Sequence, residues 1–191
     1  DLISVNPFNK IRIHFRTPQT LPKTIPLHTI QTLLSTMYRE HRGAATPFRH
    51  KKTLRDIATV EVLFSTGIRI SELCSLKKSD VDLYDGSILI FGKGAKERLI
   101  QIGSRDVLQL LIQYKQTFHR EMEQTGRFFV NPDASPLSDQ SVRRMLKKYC
   151  ALSGIDLHIT PHMFRHTFAT SLLEADVDIR YILSLIHISE P

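Results

Sequence analysis

Thr160-Pro-His-Met-Phe-Arg-His-Thr-Phe-Ala-Thr170 is the stretch on which the reading of this chain turns. Thr160 offers a capping hydroxyl and Pro161 has the fixed φ of a first helical position, so a helix begins here. Within it Met163, Phe164 and Phe168 mark the core side, while His162 and Arg165 sit three residues apart and project their polar heads together. A lone histidine and arginine near a helix start ordinarily serve capping or solvation, so their meaning depends on the rest of the chain.

Just upstream, Ser138 caps a helix predicted over 138–152. Its Val142, Met145, Leu146 and Tyr149 face a core, and Arg143, Arg144, Lys147 and Lys148 face out, giving a strongly cationic outer surface. Further back, Ser87-Ile-Leu-Ile-Phe91 and Arg98-Leu-Ile-Gln-Ile102 flank Gly92-Lys-Gly-Ala-Lys96, a β-hairpin with a cationic tip, preceded by a turn at Asp85-Gly86. Apolar spacing predicts helices over 27–40, 53–65 and 70–76, with Gly67 breaking the second. Residues 41–52 read as a polar loop, Leu108 to Tyr114 as a helix, Phe128-Phe-Val130 as a short strand, and 178–186 as a last helix. The expected fold class is α+β, mainly helical, with one small antiparallel sheet.

Four prolines interleaved with Lys10, Arg12, Arg16 and Lys23 make residues 1–26 an extended basic arm, leaving 27–191 as the main domain. With 191 residues and 41% hydrophobic content the chain has enough apolar surface for a substantial core. Its net charge of +7, from 26 Lys and Arg against 19 Asp and Glu, suits an acidic partner such as nucleic acid, although many basic proteins never touch DNA. Cys74 and Cys150 are far apart and lack metal-type spacing, which argues against a disulfide framework or zinc site and fits a reducing cytoplasm. No apolar run is long enough to span a bilayer, and no membrane partner is expected. The start at Asp1, without methionine, reads as a fragment of something longer.

Phosphodiester chemistry sets the search for a site. In-line attack adds negative charge to the non-bridging oxygens, and permanently charged guanidiniums meet it with a planar fork. The leaving alkoxide needs a proton from a lysine or histidine, and no metal or other cofactor is then required. Arg69 in Thr66-Gly-Ile-Arg-Ile-Ser-Glu-Leu73 enters a helix from a glycine-broken turn, and Glu72 lies on the same face, able to orient a neighbouring guanidinium or histidine. By itself this is an ordinary surface ion pair. Lys93, between two glycines, is free to swing into a cleft, although hairpin-tip lysines are usually just solvated.

Taken together, Thr66 to Leu73, Gly92-Lys-Gly-Ala-Lys-Glu-Arg98 and Thr160 to Thr170 resemble, in order, three signatures of the tyrosine recombinases, the phage integrase family. The likeness covers nearly the whole chain, and the opening Asn6-Pro-Phe with its basic arm resembles the family's interdomain linker. It implies the recombinase catalytic-domain fold and an enzyme that breaks and rejoins double-stranded DNA through a 3′-phosphotyrosyl link. It also implies a tetramer of full-length protomers on two duplexes, in the cytoplasm at the nucleoid. Matched residue by residue, Arg69 and Arg165 clamp the scissile phosphate, His162 helps deprotonate the attacking tyrosine, and Glu72 supports the site. Lys93 protonates the departing 5′ oxygen, with Lys96 on the same loop as its rival. Gln140, Arg143, Arg144 and Lys147 contact bases or phosphates from the helix that enters the major groove.

The resemblance weakens after Ile182. His187 in Leu185-Ile-His-Ile-Ser189 stands one place early, a turn of about 100° on a helix, and Pro191 precedes any matching nucleophile. Tyr181 lies too close to Arg165 in sequence to replace it. The chain as given is therefore expected to bind DNA without cutting it. The other readings are a type IB topoisomerase, a non-catalytic DNA-binding module and, least, a metal-dependent nuclease, for which no acidic cluster is apparent.

Overall fold

One helix is enclosed by the others. The computed structural model describes residues 23–91 and 97–173, and in it α2, Pro47–Thr66, is buried at every position from 53 to 66. It is packed by α1 (Leu27–Arg42), α4 (Arg105–Thr117), α6 (Asp139–Ser153) and α7 (Pro161–Leu173). Burial on all sides brings Arg55, Asp56 and Glu61 into the interior, where each needs a polar partner. The Arg55 guanidinium donates to Asp56 and to Asn131, Tyr149 Oη donates to Asp56 at 3.1 Å, and Tyr38 Oη donates to Glu61 at 3.1 Å.

Between α2 and α4 lie α3, Ile70–Ser75, a 3₁₀ turn at Lys78–Asp80, and a three-stranded antiparallel sheet of order β1-β2-β3. β2, Ser87–Phe91, pairs with β3, Glu97–Gln101, in the register Ile88↔Ile100 and Ile90↔Arg98, and with β1, Val81–Asp82. A short helix α5, His119–Thr125, follows α4. The α+β, mainly helical architecture is as expected. On α6 the alternation matches residue for residue, with Val142, Met145, Leu146 and Tyr149 buried and Arg143, Arg144, Lys147 and Lys148 exposed.

Three expectations are corrected. The polar loop at 41–52 is mostly helix: α2 starts at Pro47, with Thr46 Oγ1 accepting from the Arg49 amide at 3.2 Å. Its first turn carries charged residues because that turn still faces solvent. The segment Phe128 to Val130 makes only isolated bridges, Lys77↔Arg127 and Val130↔Pro136. Its backbone is met instead by the buried Tyr114 hydroxyl, which accepts from the Val130 amide at 3.0 Å and donates to the Phe128 carbonyl at 3.2 Å. The second hairpin strand begins one residue earlier than expected, at Glu97, and Ile102 donates to the Gly86 carbonyl. The basic arm up to residue 22, the hairpin tip 92–96 with Lys93 and Lys96, the expected helix over 178–186 with Tyr181, and His187 after it lie outside the described residues.

Candidate active site

The site is built where the end of α2 meets the start of α7. α2 stops at Gly67, whose φ of 59° is the left-handed conformation that glycine adopts freely. A Cβ at this position would stand 2.5 Å from Phe168 Cδ1, so the glycine also allows α7 to pack against the turn. The same turn accepts Arg165 Nη1 on the Gly67 carbonyl at 2.8 Å. Ile68, fully buried, then pins the chain as it enters α3. On the far side, Thr167 Oγ1 accepts from the Ile25 amide at 2.8 Å, tying α7 to the segment before α1. Two motifs nearly a hundred residues apart are thereby interlocked through one glycine.

Glu72 organises the other half. It accepts from the Arg69 amide at 3.0 Å, from Arg69 Nη1 at 3.0 Å, and from both ends of the Arg98 fork at 3.0 and 2.6 Å. Partial burial pushes its pKa up, but the Arg98 and Arg69 hydrogen bonds outweigh this and pull it down to about 2. The carboxylate thus stays ionised and ties α3 to β3, the strand that follows the loop of Lys93 and Lys96. Arg165 is pushed below its ordinary pKa by partial burial and by Arg69, with Arg98 adding to the effect and Glu72 opposing it. That coupling records several cations gathered around one carboxylate.

On α7 the His162 and His166 rings stand edge to face, 4.3 Å apart, with Nε2 to Nε2 at 2.8 Å. In such a contact one ring nitrogen donates and the other accepts, with the roles set by the tautomers. His166 is pushed below its ordinary pKa by burial, then by His162 and Arg165. One cleft of about 250 Å³ is lined by Arg69, Ile70, Ser71, Arg143, Pro161, His162 and Arg165. Three guanidiniums and an imidazole facing one small space are the chemistry that can receive an anion. Among the described residues, no group of His, Cys, Asp and Glu is arranged to hold a metal ion.

Of the residues singled out from sequence, Arg69, His162 and Arg165 come together with Arg143 in this cleft, and Glu72 sits behind Arg69. Gln140, Arg144 and Lys147 lie on the adjoining face, lining with Arg143 a groove of about 210 Å³ beside Pro161. Two contributors escaped the sequence reading. Arg98 sits on the same β3 face as the half-buried Ile100, a signal present in the strand alternation. His166 lies one turn after His162 on the same helix face, which the i,i+4 spacing could have shown.

Comparison with known proteins gives the geometry its context. Residues 24–187 match the phage integrase family. A tyrosine recombinase of Agathobacter rectalis is 61% identical over 186 residues, covering 97% of this chain and 61% of the relative. The crystal structure of XerA recombinase superposes with a TM-score of 0.67 at 29% identity, over 85% of this chain and 55% of that one. The fold is shared, at a TM-score of 0.68 and 23% identity, with XerH site-specific recombinase bound to difH substrate in a pre-cleavage complex, over 85% of this chain and 46% of that one. The chain spans about half to three-fifths of the length of these proteins. Three ordered motifs, the helical fold that interlocks two of them, and a match over most of the sequence agree: this chain belongs to the phage integrase family, the tyrosine recombinases.

Proposed function

We propose that residues 27–191 form the catalytic domain of a site-specific recombinase that breaks and rejoins double-stranded DNA through a 3′-phosphotyrosyl intermediate, with residues 1–26 as its linker. The observation that carries this reading is the single cleft shared by Arg69, Arg143, His162 and Arg165. XerH, alike in fold, is a recombinase solved with its DNA substrate.

In this reading Arg69 and Arg165 hold the non-bridging oxygens of the scissile phosphate, where charge accumulates as the tyrosine oxygen attacks. His162 takes the tyrosine proton, and Glu72 keeps Arg69 aimed while leaving its outer nitrogens free. The phosphorus to 5′ oxygen bond breaks as that oxygen receives a proton from Lys93, with Lys96 as the rival donor. Gln140, Arg143, Arg144 and Lys147 meet the major groove and its phosphates. Of the described tyrosines, none lines the cleft, and Tyr114 and Tyr149 are buried with their hydroxyls bonded. The reading places the nucleophile beyond residue 191, so that residues 1–191 bind duplex without cutting it. The complete protein then works as a tetramer on two duplexes, at the nucleoid. Among the described residues no helix is long and apolar enough to cross a membrane.

A nicked duplex that traps covalent adducts tests this in a chain extended through the tyrosine. Arg165→Ala should abolish the phosphotyrosyl adduct while duplex binding persists. An adduct that survives the substitution removes the assigned role, and no duplex binding by residues 1–191 at low salt removes the DNA reading as a whole.

A further inference from the structure

α6 is a ridge between two cationic clefts, and only one of them has been used so far. Its exposed cations follow one another at about 100° per residue, so Arg143 points to one flank while Arg144 and Lys148 point progressively toward the other. Arg143 lines the cleft of Arg69, His162 and Arg165. Arg144 and Lys148 line a larger one of about 400 Å³, closed on its far side by Phe48 and Lys52 from the first turns of α2.

The floor of this second cleft is electrically closed. Arg55 is taken up by Asp56 and Asn131, and Asp56 also receives the Tyr149 hydroxyl. The rim is open. Lys52 and Arg144 are exposed and have no ion-pair partner among the described residues, and the Lys148 ammonium lies 4.5 Å from the centre of the Tyr149 ring. The opposing rim charge is Asp133, whose carboxylate is engaged by the Ser135 amide at 3.1 Å and Ser135 hydroxyl at 2.7 Å. Three cations therefore face one carboxylate across the rim. Phe48, 59% exposed on α2, adds an apolar wall of the kind a sugar ring packs against.

The two clefts are set apart by one helix. An α-helix with its side chains is about 10–12 Å across, and the DNA major groove is about 12 Å wide, so a helix seated in the groove has a phosphate backbone on each flank. We propose that the cleft of Lys52, Arg144 and Lys148 grips a backbone phosphodiester of the strand opposite the one held between Arg69 and Arg165. This inference rests on the recombinase reading above, in which α6 enters the groove. The second grip fixes how the duplex rolls about α6 and so where the scissile phosphate stands, without reading base sequence.

The test uses residues 1–191 and a fluorescent duplex a few helical turns long, titrated between 50 and 200 mM salt. Each phosphate contact contributes about −0.9 to the slope of log affinity against log salt. The Lys52→Gln, Lys148→Gln double variant should therefore lose close to one unit of slope, and its affinity should fall roughly threefold less than that of the unaltered chain across this range. Acetylation of the unaltered protein gives a reading that does not depend on any variant folding: Lys52 and Lys148 should be shielded by bound duplex. If the chain binds duplex while both lysines react as fast as in free protein, or while the double variant keeps its slope, the second grip is wrong and the first stands. If the chain binds no duplex, the recombinase reading itself falls.

Discussion

Arg55 and Arg69 are each paired with a carboxylate close by in sequence, yet the side chain of Arg55 is 6% exposed and that of Arg69 is 57% exposed. Arg55 spends its donors on Asp56 and Asn131 inside the α2 core. Arg69 spends one guanidinium nitrogen on Glu72 and turns the rest toward a cleft. A buried ion pair leaves no hydrogen-bonding capacity for a ligand, and breaking it exposes the full cost of an isolated charge. A pair at a cleft edge contributes little to stability and keeps donors available. The same residue type thus serves folding in one place and, in the proposed reading, anion binding in the other.

Breaking each pair in turn should separate the two roles. Asp56→Asn leaves the Arg55 charge uncompensated in the core and should cost on the order of 3–5 kcal/mol, read by chemical denaturation. Arg69→Ala should change stability by about 1 kcal/mol or less. Equal losses from the two variants would end the distinction. Gly67→Ala comes next: it combines a left-handed backbone with a contact on Phe168, and should cost on the order of 1–3 kcal/mol. Because Arg165 donates to the Gly67 carbonyl, the same change should also weaken anion binding at the cleft; a destabilised variant with unchanged phosphate affinity would show that the turn does not position Arg165.

The smallest effect sharpens the comparison through pH. Glu72 has its pKa lowered from 4.5 to about 2 in the folded chain, so its ion pairs stabilise fully above 4.5. That contribution declines as pH falls from there toward 2, because the unfolded chain binds the proton first. Glu72→Gln should therefore flatten the pH dependence of stability between about 5 and 2, measured by denaturation at each pH. An unchanged slope would mean that Arg98 and Arg69 do not hold the carboxylate in solution.

Much of the fold was legible because its signals are local. The α6 pattern came out residue for residue, Ser138 caps it as its hydroxyl predicted, and Gly67 ends α2 where a left-handed residue was required. The start of α2 was missed although Thr46 and Pro47 form a cap and first-turn pair, because the polar run Arg49-His-Lys-Lys52 after Phe48 masked them. The stretch Phe128 to Val130 looks like a strand by composition, but its backbone is satisfied without a strand partner by the distant Tyr114 hydroxyl, the Leu76 carbonyl and the Leu137 amide. α5 was missed because a seven-residue polar helix directly after α4 carries almost no periodicity of its own.

For the site, residue types and spacing offered Arg69, Glu72, His162 and Arg165 as candidates, and the resemblance carried by three ordered motifs singled them out. The sequence by itself determined which helices and which candidate groups are present, since caps, periodicity and charge depend on neighbours a few residues away. Only the tertiary structure decided which of those groups meet. The Arg98 fork on Glu72, the seat of Phe168 against Gly67, and the convergence on one cleft all join residues far apart in the chain. Such distances are set by how α7 packs against α2 and how β3 meets α3, and packing is a property of the assembled core that no single segment encodes.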